Sequence, residues 1–375
     1  MSEVLTSLEP RLKERLVALA MALVDQAQAR VLVRPQRAES GFWFGGGNVL
    51  RTDDGTCYLV GRYRNQGDSR TGLAAGTRGL ELAVFAAPGF FGPWEKVKSF
   101  SKADLSAPGR LVVSIEGSAF YRTRDRLELY VSSEKDVPYP ARVSAYQKPG
   151  TGVWSIDRLE AQDVLALDAA TLQPVLASDE PATLHVKDPV PFDHPAGGTA
   201  LIYCTHPFTW SSSNTGLAVR GPGEAQFAVV SESVLARGPV WDVAATRITD
   251  RLSVPRLGPF RDLPPLSLYF YDGAECLRPH EQHASAIRRP RGYSCEELGG
   301  LAWGFDHLFP RLERLSLERP LFVSPHGTGC SRYVSTFVTD EGLYASWQQS
   351  QADQSQPLVG RALAMEEVER ILAGR

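Results

Sequence analysis

The chain has 375 residues, of which 43% are hydrophobic, and a formal charge of -3. This composition predicts a packed protein, and the charge gives no general attraction to nucleic acid or to an anionic membrane. No apolar run approaches the roughly 20 residues that span a bilayer. Leu16 to Val24 is apolar but follows Glu3, Glu9 and Glu14 and has no cleavage-like end, so no secretory signal is expected. Five cysteines (Cys57, Cys204, Cys276, Cys295 and Cys330) are scattered, odd in number and never spaced as CxxC. That spacing disfavours a disulfide framework or a zinc knuckle and fits reduced thiols in a cytoplasm.

Residues 1–34 read as an N-terminal helix and strand that pack on a main domain of residues 35–375. The helix is expected over Ser2 to Ala29, where Leu5, Leu8, Leu12, Leu16, Leu19, Leu23 and Val24 gather on one face. Val31-Leu32-Val33-Arg34 reads as a short strand before Pro35. The stretch Glu39 to Phe85 then reads as three successive strands. Gly45-Gly46-Gly47 lets the backbone approach something closely. Asn48 to Arg51 alternates polar and apolar. Asp53-Asp54-Gly55 is a tight hairpin signal, because Asp and Gly tolerate positive φ. Cys57 to Arg64 returns, and a long polar connection leads to Leu80–Phe85.

The same plan repeats loosely. A second unit starts at Leu111 to Gly117, returns through Leu127 to Ser132 and adds Gly152 to Asp157. A third starts at Leu184 to Pro189, returns through Thr199 to Cys204 and adds Gly216 to Arg220. A fourth starts near Val240 to Ile248 and returns through Leu266 to Tyr271, with a turn expected at Asp272-Gly273. A fifth runs from Ser331 to Val338, turns at Asp340-Glu341-Gly342 and returns through Leu343 to Trp347. A helix over Met365 to Leu372 ends the chain. About five irregular repeats of about 60 residues, with no Gly/Ser linker, predict an all-β fold: a five-bladed β-propeller with an N-terminal amphipathic helix.

These segments resemble the five-bladed β-propeller glycoside hydrolases and phosphorylases, the arabinanase/xylosidase and fructosidase families among them. The pattern is most similar to the mannoside phosphorylases of glycoside hydrolase family 130. Gly47-Asn48-Val49-Leu50 with Tyr63-Arg64 resembles the first blade of that group. Lys187 to Phe192 resembles its third-blade strand, and Arg319 to Pro325 the approach to its closing blade. The resemblance implies cleavage of a glycosidic bond in a central pocket, by hydrolysis or by phosphate-dependent phosphorolysis. The chain departs from both patterns. It has Gly46 and Asn48 where the hydrolases carry a first-strand carboxylate, and only Ile115-Glu116-Gly117 where the phosphorylases carry Glu-Asp-Pro-Arg. A binding propeller without catalysis is the third reading.

Inner strands of a propeller meet at the axis, so carboxylates near their starts can face each other across a pocket. Glycoside cleavage needs a proton donor and a second carboxylate as base or nucleophile. Glu116 and Asp188 meet that need, each in an apolar strand where an unpaired charge is costly; the alternative is an ion pair within the sheet. Asp68, in the loop between Arg64 and Arg70, is the candidate for the missing first-blade carboxylate, with Glu39 its rival. Asp242, after Trp241, is the candidate fourth-blade contribution. Arg64, Arg70, Lys187, Arg247 and Arg332 fall near strand ends, where they would hold a phosphate, uronate or sulfate, or balance nearby acids. Asn48, His326 and Trp210 complete the expected sugar contacts. His206 is a similar candidate, and Trp43, Trp154 and Trp241 offer flat stacking faces or core packing. No metal-ligand cluster appears in the sequence, although the axis leaves room for a single divalent cation. The expected partner is an oligosaccharide or glycoside, and homo-oligomerisation is left open.

Overall fold

The computed structural model describes residues 6–65, 79–276 and 297–375. Helix α1 (Pro10–Leu23) opens the described chain, and strand β1 (Arg30–Val33) follows. Blade 1 comprises β2 (Trp43–Gly45), β3 (Val49–Arg51), β4 (Cys57–Arg64), β5 (Glu81–Ala87) and β6 (Glu95–Ser101). Blade 2 comprises β7 (Val112–Arg122), β8 (Leu127–Lys135), β9 (Val153–Ala161) and β10 (Gln173–Leu176). Blade 3 comprises β11 (His185–Asp193), β12 (Thr199–His206), β13 (Asn214–Arg220) and β14 (Ala228–Ser231). Blade 4 comprises β15 (Ala245–Ser253), β16 (Leu266–Ala274), β17 (Leu298–Phe305) and β18 (Glu313–Arg314). Blade 5 comprises β19 (Ser331–Val338), β20 (Gly342–Gln349) and β21 (Leu358–Ala364), and α2 (Met365–Ala373) ends the chain.

Each blade is an antiparallel sheet in chain order, so the first strand of each is innermost. The exception closes the ring. Strand β1 comes from the N-terminal end of the chain yet pairs with β21 as the outer strand of blade 5. First and last strands thereby share one sheet. The Phe44 N–H also donates to the Gln356 carbonyl, joining blade 1 to blade 5 on the inside.

Apolar packing lies in the wedges between neighbouring blades. Val60, Leu82 and Val84 of blade 1 meet Ile115, Leu129 and Leu159 of blade 2. Tyr130 and Ile156 meet Val186 and Leu201 of blade 3. Ile202 and Leu217 meet Ile248 and Tyr269 of blade 4. Phe270 and Leu301 meet Val334 and Trp347 of blade 5, and Leu358 meets Phe44 and Leu59 of blade 1. With apolar side chains filling the wedges, a cluster of charged residues is left at the ring centre.

The helix is shorter than its apolar stripe predicts. Pro10 occupies the first turn, where a missing N–H costs nothing. Past Leu23 the Asp25 carboxylate accepts from the backbone N–H groups of Ala27 and Gln28, a local turn that competes with further helix. Leu16, Leu19, Ala20 and Leu23 are fully buried against Val368 and Leu372 of α2 and the wedge between blades 4 and 5. The expected turn at Asp272-Gly273 is overturned: β16 continues to Ala274, and Asp272 stands opposite Arg247 in the ladder. Strand β17 is an additional element, completing a blade whose third strand the sequence pattern leaves unassigned. Among the described residues no helix is long and apolar enough to cross a membrane.

Leu19→Ala tests the helix as part of the ring. It is expected to lower unfolding free energy by about 2–5 kcal/mol in chemical denaturation. A change near zero would show that α1 contributes no core.

Candidate active site at the hub

Four inner strands lose ladder register beside the axis, and the fifth breaks. The shifts fall between Ile115 and Ser118 in β7, Lys187 and Val190 in β11, Ile248 and Asp250 in β15, and Arg332 and Ser335 in β19. Blade 1 interrupts its inner edge between Gly45 and Val49. A bulge bends its strand and re-aims the side chain at the extra residue. Here the bulges turn Glu116, Asp188 and Tyr333 into the axis. Asp188 and Tyr333 both adopt φ 55°. That left-handed conformation is tolerated by Asp but costs about 1–3 kcal/mol at a residue such as Tyr.

Hydrogen bonds between blades hold the bulges. The Ser118 N–H donates to the Gly46 carbonyl at 2.9 Å. The Gly117 N–H donates to Asp188 Oδ1 at 3.1 Å, an approach that requires glycine, since a Cβ at 117 would lie 2.3 Å from that oxygen. Ser132 Oγ donates to the Gly117 carbonyl at 2.5 Å and accepts from the Asp188 N–H at 3.2 Å. The Tyr333 N–H donates to Asp272 at 3.2 Å. The bulges of β7, β11 and β19 are thus each fixed by the preceding blade.

The charges at the hub form a chain of ion pairs. Arg62 Nε donates to Glu116 Oε1 at 2.6 Å, and its Nη1 donates to the Gly45 carbonyl at 2.9 Å. Arg247 reaches Asp188 Oδ2 at 3.2 Å, Asp272 Oδ2 at 2.7 Å and Glu297 Oε1 at 2.9 Å. Arg332 pairs with the other oxygen of Glu297. The Tyr333 ring lies among the guanidinium groups of Arg62, Arg247 and Arg332, with centroid distances of 5.2, 4.2 and 5.4 Å. Trp43 carries Arg64 and Arg332 at 4.3 and 4.4 Å.

The fields follow from this arrangement. Burial pushes the Glu116 carboxyl up, but Arg62, Lys187, Arg64 and Arg332 outweigh burial and hold it well below the usual carboxylate range. Burial opposes ionisation of Glu297 as well, and Arg247, Arg332 and Lys187 overcome it. For Asp272 burial prevails over Arg247, with the Glu297 charge adding to it, and the group is pushed up to about 6. One arginine therefore serves two acids that differ in protonation behaviour, an arrangement usual where nearby groups must play different parts.

Glu116, Asp188, Lys187, Arg247 and Arg332 come together at the hub, with Arg64 at its Trp43 side. Asp68 and Arg70 lie outside the described residues. Asn48 is not turned to the charges. Its amide donates to the Phe120 carbonyl at 2.9 Å and accepts from the Phe120 N–H at 2.8 Å, clamping blade 1 to blade 2. Asp242 is fully buried within blade 4, paired with Arg314 at 3.0 Å and accepting from Tyr271 Oη at 3.0 Å. Packing under Gly238 and Gly273 keeps it there. Trp241 stacks on Tyr271 in the same core. Glu39 pairs with Arg37 on the exposed surface. His326 is exposed on the turn before β19. Trp210 and His206 lie beside Lys187 in blade 3, and Trp154 lines the same corner.

Arg62, Asp272 and Tyr333 are hub residues that sequence reasoning missed, and Glu297, whose sequence reads as a surface or rim group, joins them through Arg247 and Arg332. Arg62 had a visible signal: it shares a strand face with Arg64, two residues on, inside an apolar run. At the bulges themselves, Gly46, Asn48, Gly117, Asp188, Asp250 and Tyr333 help line a cavity of about 50 Å³. That is far smaller than the roughly 300–1,000 Å³ of ligand pockets, so it suits water rather than a sugar. Among the described residues no group of three or more His, Cys, Asp or Glu is arranged to hold a metal ion.

Arg62→Met leaves Glu116 buried without its nearest cation and is expected to cost about 3–5 kcal/mol, most of it recovered by adding Glu116→Gln. A double-mutant denaturation cycle reads this coupling. Because the folded pKa of Glu116 is depressed, its pairing stabilises above the usual value of 4.5 and is lost as pH falls through the folded value. Below pH 4.5 the wild type should therefore lose stability more steeply than Glu116→Gln. Parallel curves would show that Glu116 is not held ionised.

No protein-family model matches the chain, and no curated protein matches it. Solved structures do match over nearly its whole length. One, a complex of BT0996 with RGII, has a TM-score of 0.63 at 12% identity, covering 93% of this chain and 95% of its own. A second, called only "Glycoside hydrolase", has a TM-score of 0.61 at 10% identity, covering 95% and 96%. A third, "GH43 Endo-Arabinanase from Bacillus licheniformis", has a TM-score of 0.51 at 11% identity, covering 87% and 95%. The chain has the five-bladed propeller fold of these proteins.

Proposed function

We propose that the chain is a glycoside hydrolase that cleaves a glycosidic bond at the propeller hub, with Glu116 and Asp188 as its paired carboxylates. The observation that carries this reading is their convergence. Two acids 72 positions apart along the chain, on adjacent blades, meet through the Gly117 N–H, where Asp188 Oδ1 lies 3.1 Å away. Hydrolysis breaks the bond from the anomeric carbon to the leaving oxygen. The leaving oxygen takes the proton carried by the acid carboxyl, the water oxygen ends on the carbon, and the proton that water gives up goes to a carboxylate, so the proton count is unchanged. One carboxyl group assists departure while the other activates water or attacks the carbon. Glu116, held ionised by its cations, suits the second task. Asp188 is its partner, with Arg247 and the Tyr333 hydroxyl orienting it at 3.2 and 3.5 Å. Asp68 remains the proposed first-blade carboxylate.

The fold shared with solved proteins named as an arabinanase, a xylosidase and a xylotriose complex supports an oligosaccharide or glycoside as substrate. Buried thiols at Cys57 and Cys204 support a cytoplasmic setting. One observation favours a second reading, a binding propeller without turnover: among the described residues blade 1 brings no carboxylate to the hub, with Gly46 on its inner edge.

Glu116→Gln and Asp188→Asn are each expected to lower kcat on nitrophenyl glycosides by about 10²–10⁴-fold, with circular dichroism unchanged. Unaltered rates in both folded variants would refute this pairing. A wild type that binds sugars but releases none from glycosides or polysaccharides would replace hydrolysis by binding.

A further inference from the structure

Lys187 has the least satisfied charge at the hub. It stands one residue before Asp188 on β11, and its side chain is 9% exposed. Its ammonium lies 5.6 Å from the Trp154 ring and 5.5 Å from the Trp210 ring. Trp210 is itself fixed between His185 at 4.5 Å and His206 at 4.4 Å, at φ 55°. Burial keeps both imidazoles uncharged, with His185 pushed down to about 3 and His206 well below its ordinary value. Lys187 is therefore the cation of this corner.

Aromatic faces hold an ammonium in place without consuming its N–H donors. Among the described residues Lys187 makes no hydrogen bond; its nearest acidic oxygen is Asp188 Oδ2, at 3.7 Å. That oxygen already has Arg247 at 3.2 Å. Glu116 has Arg62, and Glu297 has Arg247 and Arg332. Every described hub carboxylate thus has an arginine partner before the lysine is counted. A largely buried ammonium with three unused donors is costly until acceptors reach it. The arginines offset the repulsion that the neighbouring carboxylates would exert on an incoming anion, and a charged oxygen is the strongest acceptor for such a donor.

We infer that the hub binds an anionic oxygen group on Lys187, walled by Trp154 and Trp210. The group is either the carboxylate of a uronic sugar or a phosphate bound beside the sugar. The uronate case rests on the glycoside reading above and narrows its substrate class; anion binding itself does not require that reading.

Calorimetric titration of the full chain at low ionic strength tests the inference with galacturonate against galactose, glucuronate against glucose, and inorganic phosphate. An anion is expected to bind about ten- to hundredfold more tightly than its neutral counterpart, as one charged hydrogen-bond partner implies. Lys187→Met should erase that preference while leaving the weaker binding of the neutral sugar in place. Preference for a uronate over phosphate assigns the charge to the substrate. Phosphate binding, together with glycoside cleavage that accelerates with phosphate, assigns it to a co-substrate. Equal wild-type affinity for uronates and neutral sugars with no phosphate binding overturns the inference, even if Lys187→Met fails to fold. Loss of neutral and anionic binding alike in a folded Lys187→Met also overturns it. The binding readouts need no turnover, so the inference stands apart from the fate of Glu116→Gln in the rate assay.

Discussion

Ionised groups buried at the centre of a ring are tolerable only when each has a partner, and this requirement organises the hub. Removing a carboxylate from water costs several kcal/mol, which only close, well-oriented cations offset. Arg62, Arg247 and Arg332 supply that compensation, from three different blades. The closest pairs of Glu116 and Asp188 cross blade boundaries. Blade 3 brings Asp188 but relies on Arg247 from blade 4, and blade 2 brings Glu116 but relies on Arg62 from blade 1. The charges consequently exist as a site only when the ring is closed, and closure depends on β1 joining β21.

Backbone strain is distributed in the same way. Asp188 and Tyr333 hold left-handed conformations that local sequence disfavours, and Pro189 further restricts the residue before it. The compensation comes from across the blade boundary. Ser132 accepts from the Asp188 N–H, and Asp272 accepts from the Tyr333 N–H. Apolar wedges supply the bulk of cohesion, and these few bonds decide where functional side chains point.

The first two strands of each blade were legible in the sequence through alternation, turn residues, and β-branched or aromatic runs, whereas β10, β14, β18 and β21 were left unassigned. The order of five units followed from those signals. Blade membership of Leu298–Phe305 was not legible, since Leu-Gly-Gly-Leu-Ala has neither alternation nor β-branched residues. Its glycines are demanded by neighbours, Gly299 by the Phe322 ring and Gly300 by the Tyr271 ring. Glu116, Asp188, Arg247 and Arg332 stood out as charges inside apolar strands. Asp272 did not, because Asp-Gly after a strand is the ordinary mark of a turn. Only the ladder opposite Arg247 shows that the chain runs on through it. Asn48 and Asp242 look like hub residues by position along their strands, but a bulge or a break shifts which residue faces the axis. That offset depends on tertiary contacts.

The missing first-blade carboxylate has a physical explanation in the same terms. Blade 1 faces the hub with Arg62, from its second strand, rather than with an acid from its first. The guanidinium reaches inward because the inner edge is stripped to glycine there: a Cβ on Gly46, at φ 70°, would stand 2.8 Å from Arg62 Nη1. A carboxylate-bearing residue at 46 would meet both that clash and a backbone conformation suited to glycine. The glycine run and the arginine are thus one feature. Together they exchange a negative charge for a positive one at this blade, and the positive charge is what keeps Glu116 ionised on the next.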